Sequence, residues 1–182
     1  MILGSVTAQM LLIGAYRVAG SLPVLRWPFA GGLLAILVDF GDLFLMDWFG
    51  GIPNYQRFDK VCDLVYMTTF LVVALRWRPL ERNVAVVLFA LRMVGDALFE
   101  LTGARAVLFA FPNLFEFWFL FVAARDRFRP GARLDAPRTA VALAVLLVAK
   151  ETQEWLLHID RFLDSYVATD VVADLWHGLT GR

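Results

Sequence analysis

Long apolar stretches separated by short polar connections run along the whole chain. Each comes close to the ~20 mostly apolar residues with which a helix crosses a bilayer. They cover residues 2–25 (uncharged over 2–16 and then extended toward 25), 29–49, 61–75, 83–102, 106–124 and 139–158. Because the connections are short, the pattern predicts an all-α fold, a polytopic membrane bundle of about six transmembrane helices in a single domain over residues 1–182.

The C-terminal region has a different pattern. Between residues 160 and 177 apolar residues recur at helical spacing, and Asp164, Asp170 and Asp174 lie on or beside the other face. The segment is too short and too acidic for a seventh span. We expect an amphipathic helix that lies on the outer surface or folds back over the bundle.

Composition agrees with a membrane protein and excludes several other classes. The chain is 60% hydrophobic and 19% charged, whereas soluble domains are roughly 45–50% apolar and ~25% charged. Its net charge of zero leaves no electrostatic footprint for nucleic acid, so membrane lipids are the expected partners. Cys62 is the only cysteine, which excludes an internal disulfide, and no cysteine and histidine cluster has zinc spacing.

Basic residues are concentrated in alternate connections. Those after the first, third and fifth spans contain Arg17, Arg26, Arg76, Arg78, Arg82, Arg125, Arg127, Arg129, Arg133 and Arg138. The other connections contain Arg57 and Lys60, and then Arg105. Because basic residues near span ends favour the cytoplasm, we expect a bacterial cytoplasmic membrane protein with both termini outside. The arginines of residues 125–138 are interpreted as topology determinants and contacts to lipid phosphates.

Polar residues inside the predicted spans share one depth, in the middle or outer half of the bilayer. They are Asp39, Asp42, Asp47, Asp63, Arg92, Asp96, Glu100, Asn113, Glu116, Lys150, Glu151, Gln153, Glu154 and His158. A charge at a helix centre costs ~2.5–3.5 kcal/mol on insertion scales, so it faces the bundle interior, a partner or a water-filled cavity. We therefore predict a polar cavity that opens to the outer face and is lined from spans two to six.

Carboxylates outnumber cations in this predicted cavity. Such an excess must be relieved by protonation, a bound cation or a substrate. We assign Asp39 and Asp42 as ligands of a divalent cation such as Mg²⁺. The groups assigned to acid and base chemistry are Glu151, Asp63, Glu116 and Lys150, and those assigned to substrate binding are Arg92, Asp96, Asn113 and Glu154.

Several of these groups also have a purely structural interpretation. Arg92 and Asp96 are spaced to form a buried ion pair that fixes helix register. Lys150 is able to neutralise a carboxylate across the bundle. Arg57 and Lys60 are interpreted as interfacial, since long basic side chains reach toward the membrane surface.

A short internal similarity points to span five. "FGDLFL" resembles "VGDALFEL", and "PNYQRF" resembles "PNLFEF", but the intervals between the two elements are unequal, which favours chance. If the similarity marks a parallel repeat, Pro112 and Asn113 mark a broken helix whose backbone is exposed to a cavity.

Two stretches resemble the VanZ-like family of small multi-span membrane proteins. "YQRFDKVCDLVYM" is similar to the D-K opening of a span in that family, and "AKETQEWLL" with the segment after it is similar to its closing pattern. The matching residues are Asp59, Lys60, Lys150, Glu151, Asp170 and Ala173. Asp63 stands where the family has histidine, and Asp174 where it has asparagine. The resemblance implies a small multi-span protein, in some members associated with resistance to lipoglycopeptide antibiotics, but no particular reaction.

Three functions remain open. The first is a site that binds or processes a lipid or lipid-linked headgroup with a divalent cation, in cell-envelope metabolism or antibiotic resistance. The second is a small proton- or cation-coupled transporter that uses the same residues. Six spans leave little room for two moving halves, which argues against a transporter unless the protein forms a homodimer. The third is a non-catalytic ion-binding membrane protein.

Overall fold

Every regular element in the described part of the chain is a helix. A computed structural model describes residues 8–48, 55–103, 107 and 110–158. The elements are α1 (Ala8–Ser21), continued by a short 3-10 helix (Leu22–Leu25), and then α2 (Pro28–Trp48), α3 (Tyr55–Ala74), α4 (Pro79–Thr102), α5 (Leu114–Phe128) and α6 (Ala136–His158). The predicted all-α fold is confirmed. The amphipathic helix predicted for 160–177 lies outside the described residues.

Local chemistry explains where several helices begin and end. Pro28 and Pro79 open α2 and α4, where the fixed φ and missing N–H of proline suit the first helical turn. Gly103 ends α4 with a left-handed φ of 64°, and its N–H donates to the Phe99 carbonyl at 2.8 Å. The Asp135 carboxylate accepts the backbone N–H of Arg138 at 2.9 Å and so caps the start of α6.

The predicted fifth span, 106–124, differs most from the observed helix. Val107 and Ala110 are helical, and the N–H of Phe111 donates to the Val107 carbonyl at 2.9 Å. It then breaks at Pro112, which has no N–H to continue the hydrogen-bond ladder and disfavours helix in the preceding residue. α5 begins after the break and contains 15 residues, about 22 Å of helix.

The aromatic core is built around α5. Phe115, Trp118 and Phe119 are fully buried, and the Phe119 ring stacks on Phe70 of α3 at 4.1 Å between centroids. Trp77, in the connection between α3 and α4, also stacks on Phe119 at 5.2 Å between ring centroids. α5 contacts α2, α3, α4 and α6, so it holds the central position of the bundle.

Large apolar side chains cover much of the outside of the bundle. Those that are most exposed include Leu11, Leu37, Val87, Leu101, Val141, Val145 and Val148. By length and composition, one stretch of the described chain, Ala8–Leu25, qualifies as a membrane-crossing helix, and it is only 28% buried. The other helices differ because α3, α4 and α6 carry charges within their length and α5 is short. The number of six spans therefore stays a prediction.

Gly31 provides a test of this packing. A Cβ at Gly31 would lie 2.4 Å from the Val24 backbone nitrogen, whereas one at the neighbouring Gly32 would lie 3.1 Å from a Leu120 methyl group. Since backbone does not yield as a side chain does, Gly31→Ala should lower the free energy of unfolding by about 1–3 kcal/mol. Gly32→Ala should change it by less than about 1 kcal/mol. Thermal loss of helical circular dichroism measures both, and equal effects would contradict the packing of α2 on the 3-10 helix.

Candidate functional site

A charged cluster joins α1, α2 and α3 inside the bundle. The guanidinium of Arg17, only 4% exposed, donates from Nη2 to Oδ1 of Asp39 and to Oδ1 of Asp63. Each carboxylate comes from a different helix. A single buried cation therefore neutralises charge from two neighbours at once, which is the condition for keeping such groups away from water.

The interpretation of Arg17 as a topology determinant in the first connection is wrong. The helix of the first span continues past Arg17 to Ser21, and the side chain turns inward. Close approach of α1 and α2 brings it to Asp39: a Cβ at Gly20 would lie 2.7 Å from Val38 side-chain atoms, and one at Gly41 would lie 2.9 Å from the Tyr16 hydroxyl. Small residues at both contacts allow this spacing.

A cavity of about 340 Å³ lies between α3 and α4. Charged groups of both signs line it, namely Lys60, Asp63, Arg92, Asp96 and Glu100. Its remaining wall is apolar and consists of Leu64, Met67, Met93 and Ala97. Asp63 belongs to both this cavity and the Arg17 cluster, so the two features form one continuous polar region.

Ion pairs organise the charges of the cavity. Arg92 and Asp96, one helical turn apart, pair at 3.1 Å between Nη2 and Oδ1. Lys60 pairs with Glu100 across the two helices and lies 4.5 Å from the centre of the Phe99 ring. Lys60, interpreted from sequence as interfacial, instead lines the cavity. The buried Nε of Arg92 has no hydrogen-bond partner among the residues the structure describes.

Tyr66 is a buried member of the polar region that sequence reasoning missed. The charged residues within electrostatic reach of its hydroxyl are Glu116, Asp63, Arg92 and Arg17. The signal was present in its spacing, since Tyr66 lies three residues after Asp63 and therefore on the same face of α3. It places a hydroxyl where the carboxylates and arginines of four helices converge.

The break before α5 also contributes to this region. Asn113 is 8% exposed, and its Nδ2 donates to Oε2 of Glu116 at 3.0 Å. In the described part of the chain its buried Oδ1 has no hydrogen-bond partner. Gly95 allows the segment to dock on α4, because a Cβ there would lie 2.5 Å from Cβ of Phe111.

The remaining predicted site residues lie on α6 or outside the described residues. Lys150 is 7% exposed, donates to Oε1 of Gln153 at 3.2 Å and lies 5.5 Å from the centre of the Phe117 ring. α6 packs mainly on α5, so a shared wall between Glu151 and the Arg17 cluster stays a prediction. The side chains of Asp42, Glu154 and His158 lie outside the described residues.

The predicted metal site does not form from the side chains that the structure describes. Within them, no three acidic, histidine or cysteine groups are arranged to hold a metal ion. Asp39 is engaged by Arg17, whose guanidinium supplies the positive charge that was assigned to a divalent cation. Mg²⁺ binding by Asp39 with Asp42 therefore stays a prediction without a described ligand set.

The basic connections lie together at the other end of the bundle. The Phe29 and Phe128 rings meet at 5.2 Å, and Arg78 Nη1 donates to the Ala132 carbonyl at 3.4 Å. The end of α3, the start of α4 and the connection after α5 are thus neighbours. The cavity extends in the opposite direction, toward Lys60 near the start of α3 and Glu100 near the end of α4.

Arg125 at this basic end has a structural partner. Its Nη1 donates at 2.8 Å to the carboxylate of the buried Glu81, and the Glu81 carbonyl accepts Trp118 Nε1 at 3.1 Å. Burial lowers the pKa of the Arg125 guanidinium, but hydrogen bonds to Asp126 and Glu81 outweigh it and the pKa is raised. Arg125 therefore joins α4 to α5, a role that its interpretation as a topology determinant did not include.

No protein-family model, no curated protein and no solved structure matches the chain. The VanZ-like resemblance consequently rests on the short motifs alone. Of the positions that carry it, Lys60 lines the cavity and Lys150 lies against α5, whereas the segment from Asp170 onward is outside the described residues.

The Arg17 cluster makes a direct prediction. Arg17→Met leaves two half-buried carboxylates without their shared cation, so the free energy of unfolding should fall by about 1–3 kcal/mol, less than the loss for a fully buried pair. Adding Asp39→Asn and Asp63→Asn should restore most of the loss. Thermal or denaturant unfolding in one detergent measures all three proteins.

The matched control is Arg26→Met, which removes an exposed arginine close by and should alter stability by less than about 0.5 kcal/mol. A triple variant no more stable than Arg17→Met would contradict the charge-pairing explanation.

Proposed function

We propose that the chain is a six-span integral membrane protein that binds the headgroup of a lipid or lipid-linked molecule in the cavity between α3 and α4. One observation carries the proposal. Charges of α3 and α4 are collected around one half-open cavity between these two helices, while large apolar side chains occupy much of the remaining surface. This is the distribution that lipid as a solvent requires.

The outer face of α4 supports a membrane location. Its exposed apolar residues are Val86, Val87, Leu91, Val94, Leu98 and Leu101. Arg92 and Asp96 belong to the opposite, cavity-lining face. The composition of the whole helix therefore understates how apolar its outward side is. Contiguous exposed apolar surface of this kind marks interaction with a membrane or a partner.

The lining of the cavity fits an amphiphile that carries both an anionic and a cationic group. Arg92 offers a buried Nε donor to a phosphate oxygen, in the planar geometry that arginine uses for such groups. Asp63 and Glu100 provide carboxylates for an ammonium group, and Met67 and Met93 provide an apolar wall for the start of an acyl chain. The volume, about 340 Å³, lies at the lower end of small-molecule sites and suits a headgroup rather than a whole lipid.

The orientation follows from the basic end. Arginine-rich connections favour the cytoplasm, so the cavity opens to the outside and both termini lie outside. A ligand from the outer leaflet gives the protein a role in cell-envelope metabolism. The positions of Lys60 and Asp63 on the cavity wall support this role, because they fall in the stretch that resembles the VanZ-like family.

A proton- or cation-coupled transporter is the second candidate, and the break before α5 favours it. Interrupted helices near the bilayer midplane form the substrate and ion sites of many transporters. Asn113 and Glu116 are placed at such an interruption. In this reading Asp63 or Glu116 takes up the coupling proton.

Binding to the cavity is tested with short-chain phosphatidylethanolamine, which carries one phosphate and one amine. Arg92→Met should weaken its binding roughly tenfold or more, because a charge-assisted hydrogen bond to phosphate is lost. Arg76→Met, which removes an exposed arginine away from the cavity, should change it less than about twofold. Calorimetric titration in an uncharged detergent measures the affinity.

Unchanged binding in Arg92→Met would overturn the headgroup proposal. Proton uptake by liposomes containing the protein, abolished by Asp63→Asn, would favour the transporter instead.

The orientation is tested by cysteine labelling in a Cys62→Ala background. A membrane-impermeant maleimide should label Thr102→Cys, at the exposed end of α4, in intact cells. Arg133→Cys, in the connection after α5, should react only after the membrane is permeabilised. The reverse pattern would place the basic end outside, and labelling of both in a soluble fraction would exclude the membrane location.

A further inference from the structure

A second cavity of about 500 Å³ lies at the basic end, beside the connection between α5 and α6. Arginines on one side and apolar groups on the other define it. The arginines are Arg129, Arg133 and Arg138, and the apolar groups are Phe121, Phe128 and Leu134. It shares no residue with the cavity between α3 and α4.

The charge of this second cavity is not neutralised locally. Arg125, on its edge, is already paired with Glu81 and Asp126. Arg138 has only a long contact of 3.6 Å to Asp135, and both of these side chains are mostly exposed. In the part of the chain that the structure describes, neither Arg129 nor Arg133 forms an ion pair. The residues around the cavity therefore carry net positive charge.

Hydrogen bonds give the surrounding connection a defined shape. The N–H of Ala132 donates to the Arg129 carbonyl at 3.1 Å, and Gly131 adopts a φ of 93° that closes the turn. Arg78 of the neighbouring connection holds the Ala132 carbonyl. Asp135 then caps α6. Arg129 is the C-cap residue of α5, Arg133 lies in the turn and Arg138 lies in the first turn of α6, so the three are held at one defined connection.

We propose that this second cavity binds a phospholipid whose headgroup carries more than one negative charge. Guanidinium groups match phosphate oxygens in pairs, and three arginines around one space exceed what a single phosphodiester neutralises. The exposed Phe128 ring and Leu134 supply the surface for acyl chains. Basic pockets between helices on the cytoplasmic side are suited to such headgroups. The proposal rests on the membrane location and orientation proposed above, but not on ligand binding between α3 and α4.

Cardiolipin, which carries two phosphates, is the probe. In uncharged detergent, native mass spectrometry of the full chain should show cardiolipin bound in preference to phosphatidylcholine. The Arg129→Gln/Arg133→Gln variant should weaken cardiolipin binding roughly tenfold or more. The matched control, Arg76→Gln/Arg82→Gln, removes the same charge from the same end without touching the cavity and should change the affinity less than about threefold.

The outcomes distinguish a lipid ligand from free phosphate, and the second cavity from the cavity between α3 and α4. Pyrophosphate that displaces cardiolipin at equal concentration would overturn the lipid assignment in favour of a soluble phosphate. An equal loss of cardiolipin affinity in the Arg129→Gln/Arg133→Gln variant and in its Arg76→Gln/Arg82→Gln control would show that diffuse charge attraction, rather than this cavity, binds the lipid. Arg92→Met should leave cardiolipin binding unchanged. If the Arg92→Met variant also binds phosphatidylethanolamine normally, the headgroup proposal fails. Loss of cardiolipin binding in the Arg129→Gln/Arg133→Gln variant would still support the second cavity as a separate lipid site.

Discussion

The arrangement of the bundle depends on one buried guanidinium. Arg17 lies where α1, α2 and α3 meet and binds carboxylates from the two other helices. Without a cation at that position, Asp39 and Asp63 would be two half-buried like charges close together, which favours protonation or separation of the helices. Its position thus determines how close the three helices lie and where the cavity begins.

A second ion pair, between Glu81 and Arg125, joins two helices at the opposite end of the bundle. Glu81 is buried at the first turn of α4, and Arg125 reaches it from the last turns of α5. Between the two ion pairs the contacts are aromatic, with Phe70 and Phe119 stacked at the centre. The aromatic core thus lies between two ion-paired contacts that each join different helices.

The hydrophobic pattern was sufficient to predict the helices but not their partners. Apolar length placed helices over most of the observed ranges. Asp63, Arg92 and Asp96 do line one cavity, but among the described residues α3 and α4 alone form it, whereas the prediction was a cavity lined from spans two to six. Arg17 was missed because it stands after an apolar run that looks complete, and only the packing of α1 on α2 shows that the helix continues through it.

Other site residues were hidden for related reasons. Lys60 looked interfacial because a long side chain close to a span end ordinarily reaches for the surface, and its pairing with Glu100 is a contact between helices that spacing along one helix does not reveal. Tyr66 carries no charge, so a search for ionisable groups passed over it. Pro112 did signal the break before α5, since its effect on the backbone is local.

Asp63 lies both in the cavity between α3 and α4 and in the Arg17 cluster, and so it links the occupancy of the cavity to the position of α1. Its carboxylate bonds Arg17 on one side and faces the cavity on the other. A cationic group entering the cavity competes with Arg17 for the same oxygens, so binding loosens the contact between α1 and α3. By thermodynamic reciprocity, any lipid or neighbouring helix that displaces α1 alters the affinity of the cavity by the same factor. If the proposed headgroup site binds such a group, the first helix responds to the ligand as well as forming a wall of the bundle.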